Sequence, residues 1–223
     1  MIAGSGADLV ILQEASAPAC VARIAGLAGM PHFESRSGAS LAYLSRVPVV
    51  SAEWHKPRVS RHAFLEVVPE GAAFRVFGLH LSAVHSAWTE RRRMMELGSL
   101  LSAIASHQHG AHMLIGDFNT LAPGEFLDVS KLPNRLRALV WLSGGRIRFR
   151  TIRRILDAGY IDCFRQLQGK DPGFTFPTWD PHVRLDFGFV PEAHAALIRD
   201  CCVLRPAGAK DASDHFPLLT EIG

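Results

Sequence analysis

The segment Leu114–Thr120, with the sequence LIGDFNT, joins an apolar run to a polar turn. Residues 112–115 are typical of a buried strand, and the turn that follows contains a carboxylate and a carboxamide two residues apart. Because alternate residues of an extended chain point to the same side, we expect Asp117 and Asn119 to project together from the end of this strand. Such a pair can bind a cation or orient a water molecule, or it can form an ordinary Asx turn, and this segment alone favours neither.

Other apolar runs along the chain also end in acidic or histidine residues. The side chains at these strand ends are Glu14, His80, Asp186, Asp214 and His215. Together with the aspartate and asparagine of the first segment, they supply carboxylate, carboxamide and imidazole groups. A set of this composition suits a divalent cation and a water molecule that is activated for attack.

These strand ends form short motifs that resemble those of a known family. In chain order the motifs are LQE at 12–14, HL at 80–81, GDFN at 116–119, LDFGFV at 185–190 and SDHFPL at 213–218. Their order and spacing resemble the endonuclease/exonuclease/phosphatase superfamily, which includes deoxyribonuclease-like enzymes, abasic endonucleases, inositol polyphosphate 5-phosphatases and neutral sphingomyelinases. Each motif is short, but the resemblance extends from about Asp8 to the last residues.

The resemblance implies an α+β fold, a four-layer αββα sandwich in which two mixed β-sheets pack face to face with helices outside. Strand-like runs that alternate with amphipathic helices along the chain agree with this fold. One such helix is predicted over residues 89–106 from the spacing of its apolar residues, with Arg91, Arg92 and Glu96 on the faces directed away from the core.

The resemblance also implies a metal ion, Mg²⁺ or Mn²⁺, and a water molecule in the site. Glu14 would bind the metal ion, with Asp214 supporting it, and Asp117 would orient or deprotonate the attacking water. Asn119 would form a hydrogen bond with the phosphate. From its position alone, Glu14 can equally be an acid in the first turn of a helix, where the helix dipole favours it.

Histidines and an arginine complete the phosphate site that the resemblance implies. Asp186 lies within an aromatic strand, where a lone carboxylate is costly, so we expect a partner for it, and His215 is the natural one. His215 would then contact the phosphoryl group or act as an acid or base. His80 and Arg61 would bind phosphate, although His80 can also be a structural residue at a strand end and Arg61 a solvated loop charge.

Residues 129–156 contain no acid and many basic residues. The basic residues are Lys131, Arg135, Arg137, Arg146, Arg148, Arg150, Arg153 and Arg154. Such a segment can follow a phosphate backbone, lie on an anionic membrane, or form helices with a solvated basic face. The spacing of Ile152, Ile155 and Leu156 favours a packed helix for the last two arginines, whereas the arginines at 146, 148 and 150 favour binding to a substrate or a surface.

Length and composition limit the number of domains and the kinds of partner that we expect. With 223 residues, of which 48% are hydrophobic, we expect one domain over residues 1–223, and we assume a monomer. The net charge of +3 permits a phosphate-bearing partner without requiring one.

The four cysteines lack the spacing of a zinc site or a disulfide framework, and no segment resembles a membrane span or signal peptide. The expected location is therefore the cytoplasm.

The function expected from the resemblance is metal-dependent hydrolysis of phosphate esters. The substrate would be a nucleic acid, a phosphoinositide or a phospholipid headgroup, because the fold does not determine which. The family's usual first strand, which ends in an asparagine beside the metal-binding glutamate, has no counterpart before the motif at 12–14. An alternative is therefore a non-catalytic, N-terminally truncated family member that acts as a binding module.

Overall fold

The computed structural model describes residues 1–58, 60–83, 87–107, 110–125, 128–132, 134–142 and 149–223. The strands are β1 (Leu9–Gln13), β2 (His32–Ser35), β3 (Leu41–Ser45), β4 (Val49–His55), β5 (Phe64–Pro69), β6 (Phe74–His80), β7 (Ala111–Asp117), β8 (Tyr160–Asp162), β9 (Asp186–Pro191), β10 (Ile198–Val203) and β11 (Leu218–Ile222). The helices are α1 (Pro18–Ala28), α2 (Ala87–His107), α3 (Asn134–Leu142), α4 (Arg150–Asp157), α5 (Cys163–Leu167) and α6 (Ala209–Ala212). Short 3-10 helices lie at Ile2–Gly4, Val129–Lys131 and Glu192–Leu197.

A six-stranded sheet with the order β4-β5-β6-β7-β9-β8 forms the centre of the fold. Strands β6 and β7 are parallel, and the other neighbouring pairs of this sheet are antiparallel. Helix α2 lies between β6 and β7 in the chain and provides the crossover that a parallel pair needs. This sheet is mixed, as the sequence predicts.

The second β layer consists of two smaller sheets, one with the order β1-β3-β2 and one that pairs β10 with β11. Both are antiparallel, so the α+β sandwich is confirmed while only one of its layers contains a mixed sheet. The reason is topological. Helix α1 connects β1 to β2, but these strands lie on opposite sides of β3, and each pairs with β3 in the antiparallel sense.

Strand β3 separates two parts of the core. Leu41 and Tyr43 pack with Leu65 of the six-stranded sheet, whereas Ala42 and Leu44 belong to the cluster beneath α1. This division follows from the alternation of side chains along a strand, since every residue of β3 is buried on one face or the other. The layer order on this side is therefore α1, small sheet, large sheet.

Helices α2 and α4 pack in one cluster with residues of the large sheet. Leu97 and Leu100 of α2 and Ile152 and Ile155 of α4 are buried with Phe187 and other residues of the strands. Helix α4 confirms the predicted packed helix, and its two last arginines are exposed. Within the described residues no helix is long and apolar enough to cross a membrane.

The basic segment predicted over 129–156 is described only in part. Arg146 and Arg148 lie outside the described residues, as does the side chain of Arg135. Arg137 and Arg150 are exposed, and Lys131 forms an ion pair with Asp180 at 2.9 Å.

A glycine lets the second layer approach the large sheet closely. A Cβ atom at Gly78 of β6 would lie 2.6 Å from Cγ2 of Ile11 in β1. Since real Cβ atoms do not approach other atoms this closely, the packing of β1 over β6 depends on the absence of a side chain at residue 78.

Candidate active site

Three neighbouring strands bring one site residue each into a single row. In the register of the large sheet, His80 of β6 lies opposite Asp117 of β7, and Asp117 lies opposite Asp186 of β9. Residues that are opposite each other on adjacent strands project to the same face. The ends of β6 and β7 and the start of β9 therefore collect two carboxylates and an imidazole, all at most 8% exposed.

Gly116 allows the middle of this row to form. Its φ angle is +141°, and a Cβ atom there would lie 2.1 Å from the carbonyl oxygen of Leu79. No other residue fits a position with this backbone conformation and this contact. The strand therefore reaches Asp117 in close contact with β6, and Gly116 is the first residue of the GDFN motif.

Asn119 holds the carboxylate of Asp117 from two sides. Its backbone N–H donates to Oδ1 of Asp117 at 2.8 Å, and its side-chain Nδ2 donates to Oδ2 at 2.7 Å. The same Nδ2 donates to the carbonyl oxygen of Leu81 at 3.0 Å. Both amide protons of Asn119 are thus used, and its φ angle of +51° places it in the left-handed region that asparagine tolerates.

His215 closes the row from another segment of the chain. Its Nδ1 lies 2.7 Å from Oδ2 of Asp186, which is the partner expected for this buried carboxylate. The ring of Phe176 contacts the imidazole with a centroid separation of 4.8 Å. The hydroxyl of Thr175 accepts from the backbone N–H of Asp186 at 3.3 Å and fixes the start of β9.

The charges in this cluster are strongly coupled. Burial, together with the negative charge of Asp186, raises the pKa of Asp117 to about 8, against the opposing effects of His215, Asn119 and Arg93. Burial opposes protonation of His215, but the hydrogen bond and charge of Asp186, with the charge of Asp117, outweigh it and raise the pKa of His215 to about 9. The protonation states of Asp117 and His215 therefore depend on each other.

His80 is the least satisfied member of the row. Its Nε2 lies 3.9 Å from Oδ2 of Asp117, which is beyond hydrogen-bond distance, and its Nδ1 is buried without a hydrogen-bond partner among the described residues. Burial lowers its pKa, and the charge of His215 lowers it further. The ring of His62 stacks on it, with centroids 4.6 Å apart and planes 9° apart.

Two buried acids of α2 fix the loops that carry the site. Glu96 accepts from the backbone N–H and the hydroxyl of Ser82, at 3.1 and 2.8 Å, and from the backbone N–H of Arg61 at 3.0 Å. Glu90 forms an ion pair with Arg93 at 2.9 Å, and Arg93 donates to the carbonyl oxygen of Ser82 at 2.8 Å. The expectation that Glu96 faces away from the core is wrong, because its carboxylate meets these donors inside the protein.

Glu90 extends this anchoring to two further segments. It accepts from the hydroxyl of Thr120, directly after Asn119, at 3.2 Å. It also accepts from the backbone N–H of Thr151 in α4 at 2.8 Å. One carboxylate thus connects the loop after β7 to the outer helices.

A second ion-pair network anchors the start of β9. The guanidinium of Arg184 is 1% exposed and donates to both carboxylate oxygens of Asp162, at 3.0 and 2.6 Å. It also donates to Glu125 at 2.7 Å and lies over the ring of Phe187 at 4.2 Å. Since Arg184 precedes Asp186 by two residues, this network helps to fix the end of the row.

The remaining predicted site residues are exposed on the protein surface. Glu14 follows β1, is exposed and has a φ angle of +55°, and no hydrogen bond or ion pair joins it to the row within the described residues. Asp214 is also exposed and adjoins His215, and its backbone carbonyl accepts from Thr178 at 2.9 Å. Arg61 is exposed, and its charge lowers the pKa of both His62 and His80.

No cluster of three or more His, Cys, Asp or Glu residues that could hold a metal ion occurs in the described part of the chain. The donors that are present still fit a hard cation. Glu14 and Asp214 are exposed carboxylates without a side-chain hydrogen bond or ion pair among the described residues. Mg²⁺ in particular is commonly bound by one or two carboxylates together with water and substrate phosphate, so it does not need a closed cluster.

Sequence reasoning did not identify His62, Glu90, Arg93 or Glu96 as site residues. The available signals were weak: SRH at 60–62 resembles any polar loop, and charged residues of an amphipathic helix are normally solvated. The spacing of Glu90, Arg93 and Glu96, three residues apart on one helix face, was the signal that could have indicated a buried charged stripe.

Comparisons with known proteins place this geometry in context. The sequence model of the Endonuclease/Exonuclease/phosphatase family matches residues 1–215. Among curated proteins no match was found.

Several solved structures share the fold. The 3′ phosphatase NExo from Neisseria, bound to a product DNA hairpin, is 18% identical with a TM-score of 0.73, and the match covers 100% of this chain and 91% of that one. An AP endonuclease from Archaeoglobus fulgidus is 17% identical with a TM-score of 0.72, with 96% and 88% covered. A humanized D. rerio TDP2 is 19% identical with a TM-score of 0.65, with 97% and 85% covered.

Proposed function

Because the chain belongs to the Endonuclease/Exonuclease/phosphatase family, we propose that the row of His80, Asp117 and Asp186, closed by His215, is the active site of a divalent-metal-dependent phosphoester hydrolase. Family membership supports phosphoester hydrolysis in general. The single observation that carries this site is the row itself, in which a carboxylate pair and a paired imidazole meet at the ends of three adjacent strands. We propose DNA as the substrate class, because one structural neighbour is described as a 3′ phosphatase bound to a product DNA hairpin and another as an AP endonuclease.

Asp117 is the proposed base for the attacking water. Its pKa is raised to about 8, so its carboxylate has a proton affinity matched to neutral pH, as an efficient general base requires. The two hydrogen bonds from Asn119 fix the direction of its oxygens. A phosphate oxygen that binds beside Asn119 accepts a hydrogen bond that the side-chain amide now donates to Asp117 or to the carbonyl oxygen of Leu81. When the bond to Asp117 is the one exchanged, its carboxylate is better able to accept the proton of water.

His215 is the proposed contact for the phosphoryl group. Its Nδ1 is bonded to Asp186, so its Nε2 edge remains for the substrate. With a pKa raised to about 9, the imidazole is protonated at neutral pH and carries the positive charge that a phosphoryl oxygen needs as negative charge develops on it. Asp186 serves to orient the ring and to maintain its charge.

Glu14 and Asp214 are the proposed ligands of Mg²⁺ or Mn²⁺. When bound, such an ion neutralises phosphoryl oxygens and orients the phosphate for displacement. The residues of the row then have three tasks, which are to position the water, to take its proton and to bind the phosphoryl oxygens. Hydrolysis breaks the bond between phosphorus and the ester oxygen, and the ester oxygen leaves as an alcohol.

The direct test is hydrolysis of an activated phosphodiester and of 3′-phosphorylated and abasic DNA by the purified protein. We expect turnover with Mg²⁺ or Mn²⁺, loss of turnover with chelator, and loss in Asp117→Asn and His215→Ala. The matched control is Asp128→Asn, which changes a half-buried aspartate whose side chain contacts Ser130 and not the row. Folded protein without turnover above these variants on any substrate would reject the proposal and favour the non-catalytic alternative.

A further inference from the structure

We propose that His62 is a second imidazole of the phosphate site and binds a phosphoryl oxygen together with His80. This inference rests on the proposed function of the row. It adds a residue from a loop that the sequence motifs do not include, and it assigns that loop the task of receiving the anionic end of the substrate.

The stack of His62 on His80 is the geometric basis. The two rings are nearly parallel, with planes 9° apart and centroids 4.6 Å apart, and Nε2 of His80 lies 3.9 Å from Oδ2 of Asp117. His80 is 8% exposed, and its Nδ1 has no hydrogen-bond partner among the described residues. A buried ring nitrogen without a partner is costly, and a bound oxyanion is a ligand that would satisfy one.

The loop that carries His62 is held in place rather than free. The hydroxyl of the buried Ser60 donates to the carbonyl oxygen of His62 at 2.6 Å, and the backbone N–H of Arg61 donates to the carboxylate of Glu96 at 3.0 Å. The ammonium group of Lys56 also donates to the carbonyl oxygen of Arg61. These contacts hold the backbone of Arg61 and His62 in place, which reduces the entropy lost when a ligand binds to His62.

The charges around His62 favour an anion. His80, Arg61 and Lys56 each disfavour its protonation, and Glu96 alone among the acting groups favours it. The carboxylate of Glu96 is already engaged by backbone and hydroxyl donors. Burial lowers the pKa of His62 to about 4, together with His80 and the cations Arg61 and Lys56, so its ring is neutral in the ligand-free protein at neutral pH.

The electrostatic environment of His80 resembles that of His62, but it includes more acids. His215 and Arg61 disfavour its protonation, whereas Asp186 and Glu96 favour it, and Asp117 lies 3.9 Å away. An anion placed at the edge of the stack favours protonation of His62 and opposes the effect of Arg61 and Lys56 on it. Phosphate binding is therefore coupled to proton uptake, and the affinity of the stack for phosphate falls as pH rises above the free-state pKa of His62.

A purely positional role for His62 is the competing interpretation. In that case the ring only holds His80 in place, and any flat side chain of similar size would serve. His62→Phe separates the two roles, since phenylalanine keeps a ring on His80 but has no nitrogen to bind an oxyanion. His62→Ala removes both the stacking and the nitrogens.

The probe is inorganic phosphate added to the full chain with Mg²⁺, and the readout is the ring C–H signal of each histidine in an NMR titration. We expect saturable shifts of the His62 and His80 signals and a rise in the pKa of His62. We expect His62→Phe to weaken phosphate binding about tenfold while the His80 signal of the free protein stays close to its original position. His32→Phe, at the start of β2 opposite Ser45, is the control and should leave the affinity unchanged.

Two outcomes would overturn the inference. One is a shift of His80 with no change in the signal or pKa of His62, and the other is wild-type phosphate affinity in His62→Phe. Either can occur while hydrolysis proceeds normally, so the proposed function would stand. If phosphate moved neither histidine and no substrate were hydrolysed, the phosphate site itself would be rejected, and this inference with it.

Discussion

Two buried charged regions of this molecule contain similar groups in opposite conditions. In the network of Arg184, Asp162 and Glu125, each charge meets an opposite charge at hydrogen-bond distance. In the row at the ends of β6, β7 and β9, two carboxylates face each other, and the pKa of Asp117 is raised to about 8. With Arg165, which pairs with Glu125 at 3.0 Å, the network sets two guanidinium groups against two carboxylates and positions the backbone. In the row, by contrast, a substrate or a cation that binds can change the ionisation of Asp117.

This difference shows what the surrounding structure must do to support such a site. Carboxylates that repel each other in a buried position destabilise the folded state, so the surrounding structure must hold them there. Here Glu90, Glu96 and Arg184 supply that support, since they anchor the loops on both sides of the row. The comparison predicts that changes in the row affect activity more than stability, and that changes in the network do the reverse.

Asp117→Asn should give the largest effect. We expect turnover of a phosphodiester to fall roughly a thousandfold, because the proposed base is lost while its shape is kept. The midpoint of thermal unfolding should stay the same or rise, since the variant removes one of two repelling carboxylates. Steady-state kinetics and calorimetry on the same preparations test both parts. A large fall in unfolding temperature would contradict the comparison.

Arg184→Met should give the largest loss of stability. It leaves the buried Asp162 without its cation, which costs about 3–5 kcal/mol in comparable buried pairs, whereas Glu125 keeps its ion pair with Arg165 at 3.0 Å. Urea unfolding measures this change. Adding Asp162→Asn to Arg184→Met should recover part of the loss, because the stranded carboxylate is neutralised, and failure to recover any of it would show that the pair is not coupled.

The pH dependence of the free energy of unfolding should reveal the raised pKa values of Asp117 and His215 in metal-free protein. A raised pKa of Asp117 or His215 means that the folded protein binds more protons than the unfolded chain, so the free energy of unfolding falls as pH rises toward about 8 to 9. The lowered pKa of His62 acts in the opposite direction, but only below about pH 7, where the unfolded histidine titrates. Between pH 7 and 8 the slope should therefore be negative.

Urea unfolding at a series of pH values with chelator present measures that slope. In Asp117→Asn the slope between pH 7 and 8 should be smaller than in the wild type, because one of the two raised groups no longer titrates. An identical slope in both proteins would mean that Asp117 is ionised throughout this range.

Lys131→Met should give the smallest effect. It breaks the ion pair with Asp180, in which the side chains are 39% and 53% exposed, so solvent already screens the attraction. We expect the midpoint of urea unfolding to stay close to that of the wild type. Compared with Arg184→Met in the same urea titration, it is the exposed counterpart of the buried ion pair, and equal losses would remove the distinction between the two.

The resemblance to a known family predicted the fold class, and the apolar pattern of the sequence predicted the strand ends, for a physical reason. Apolar runs followed by polar residues identify where buried strands end, so Asp117, Asn119 and His80 were found from local pattern alone. The resemblance supplied the order in which these ends are used. The need of a buried carboxylate for a partner led to the pairing of Asp186 with His215.

Other features depend on tertiary packing and left no local signal. Periodicity directs charged helix residues to solvent, so it could not reveal that Glu96 is 1% exposed beneath the site. The stack of His62 on His80 joins loop and strand residues that only the folded sheet brings together. The antiparallel second layer likewise follows from which strands flank β3, and strand order is not encoded in any single segment.

The register of the row also bears on how the protein acquires activity during folding. His80, Asp117 and Asp186 come from distant parts of the chain and meet only when β6, β7 and β9 are aligned in one register. Pairing of such distant segments is slow compared with formation of local structure. Recovery of turnover after dilution from denaturant would therefore report completion of the central sheet, and a slip of β7 by one residue would turn Asp117 to the opposite face and leave a compact but inactive protein.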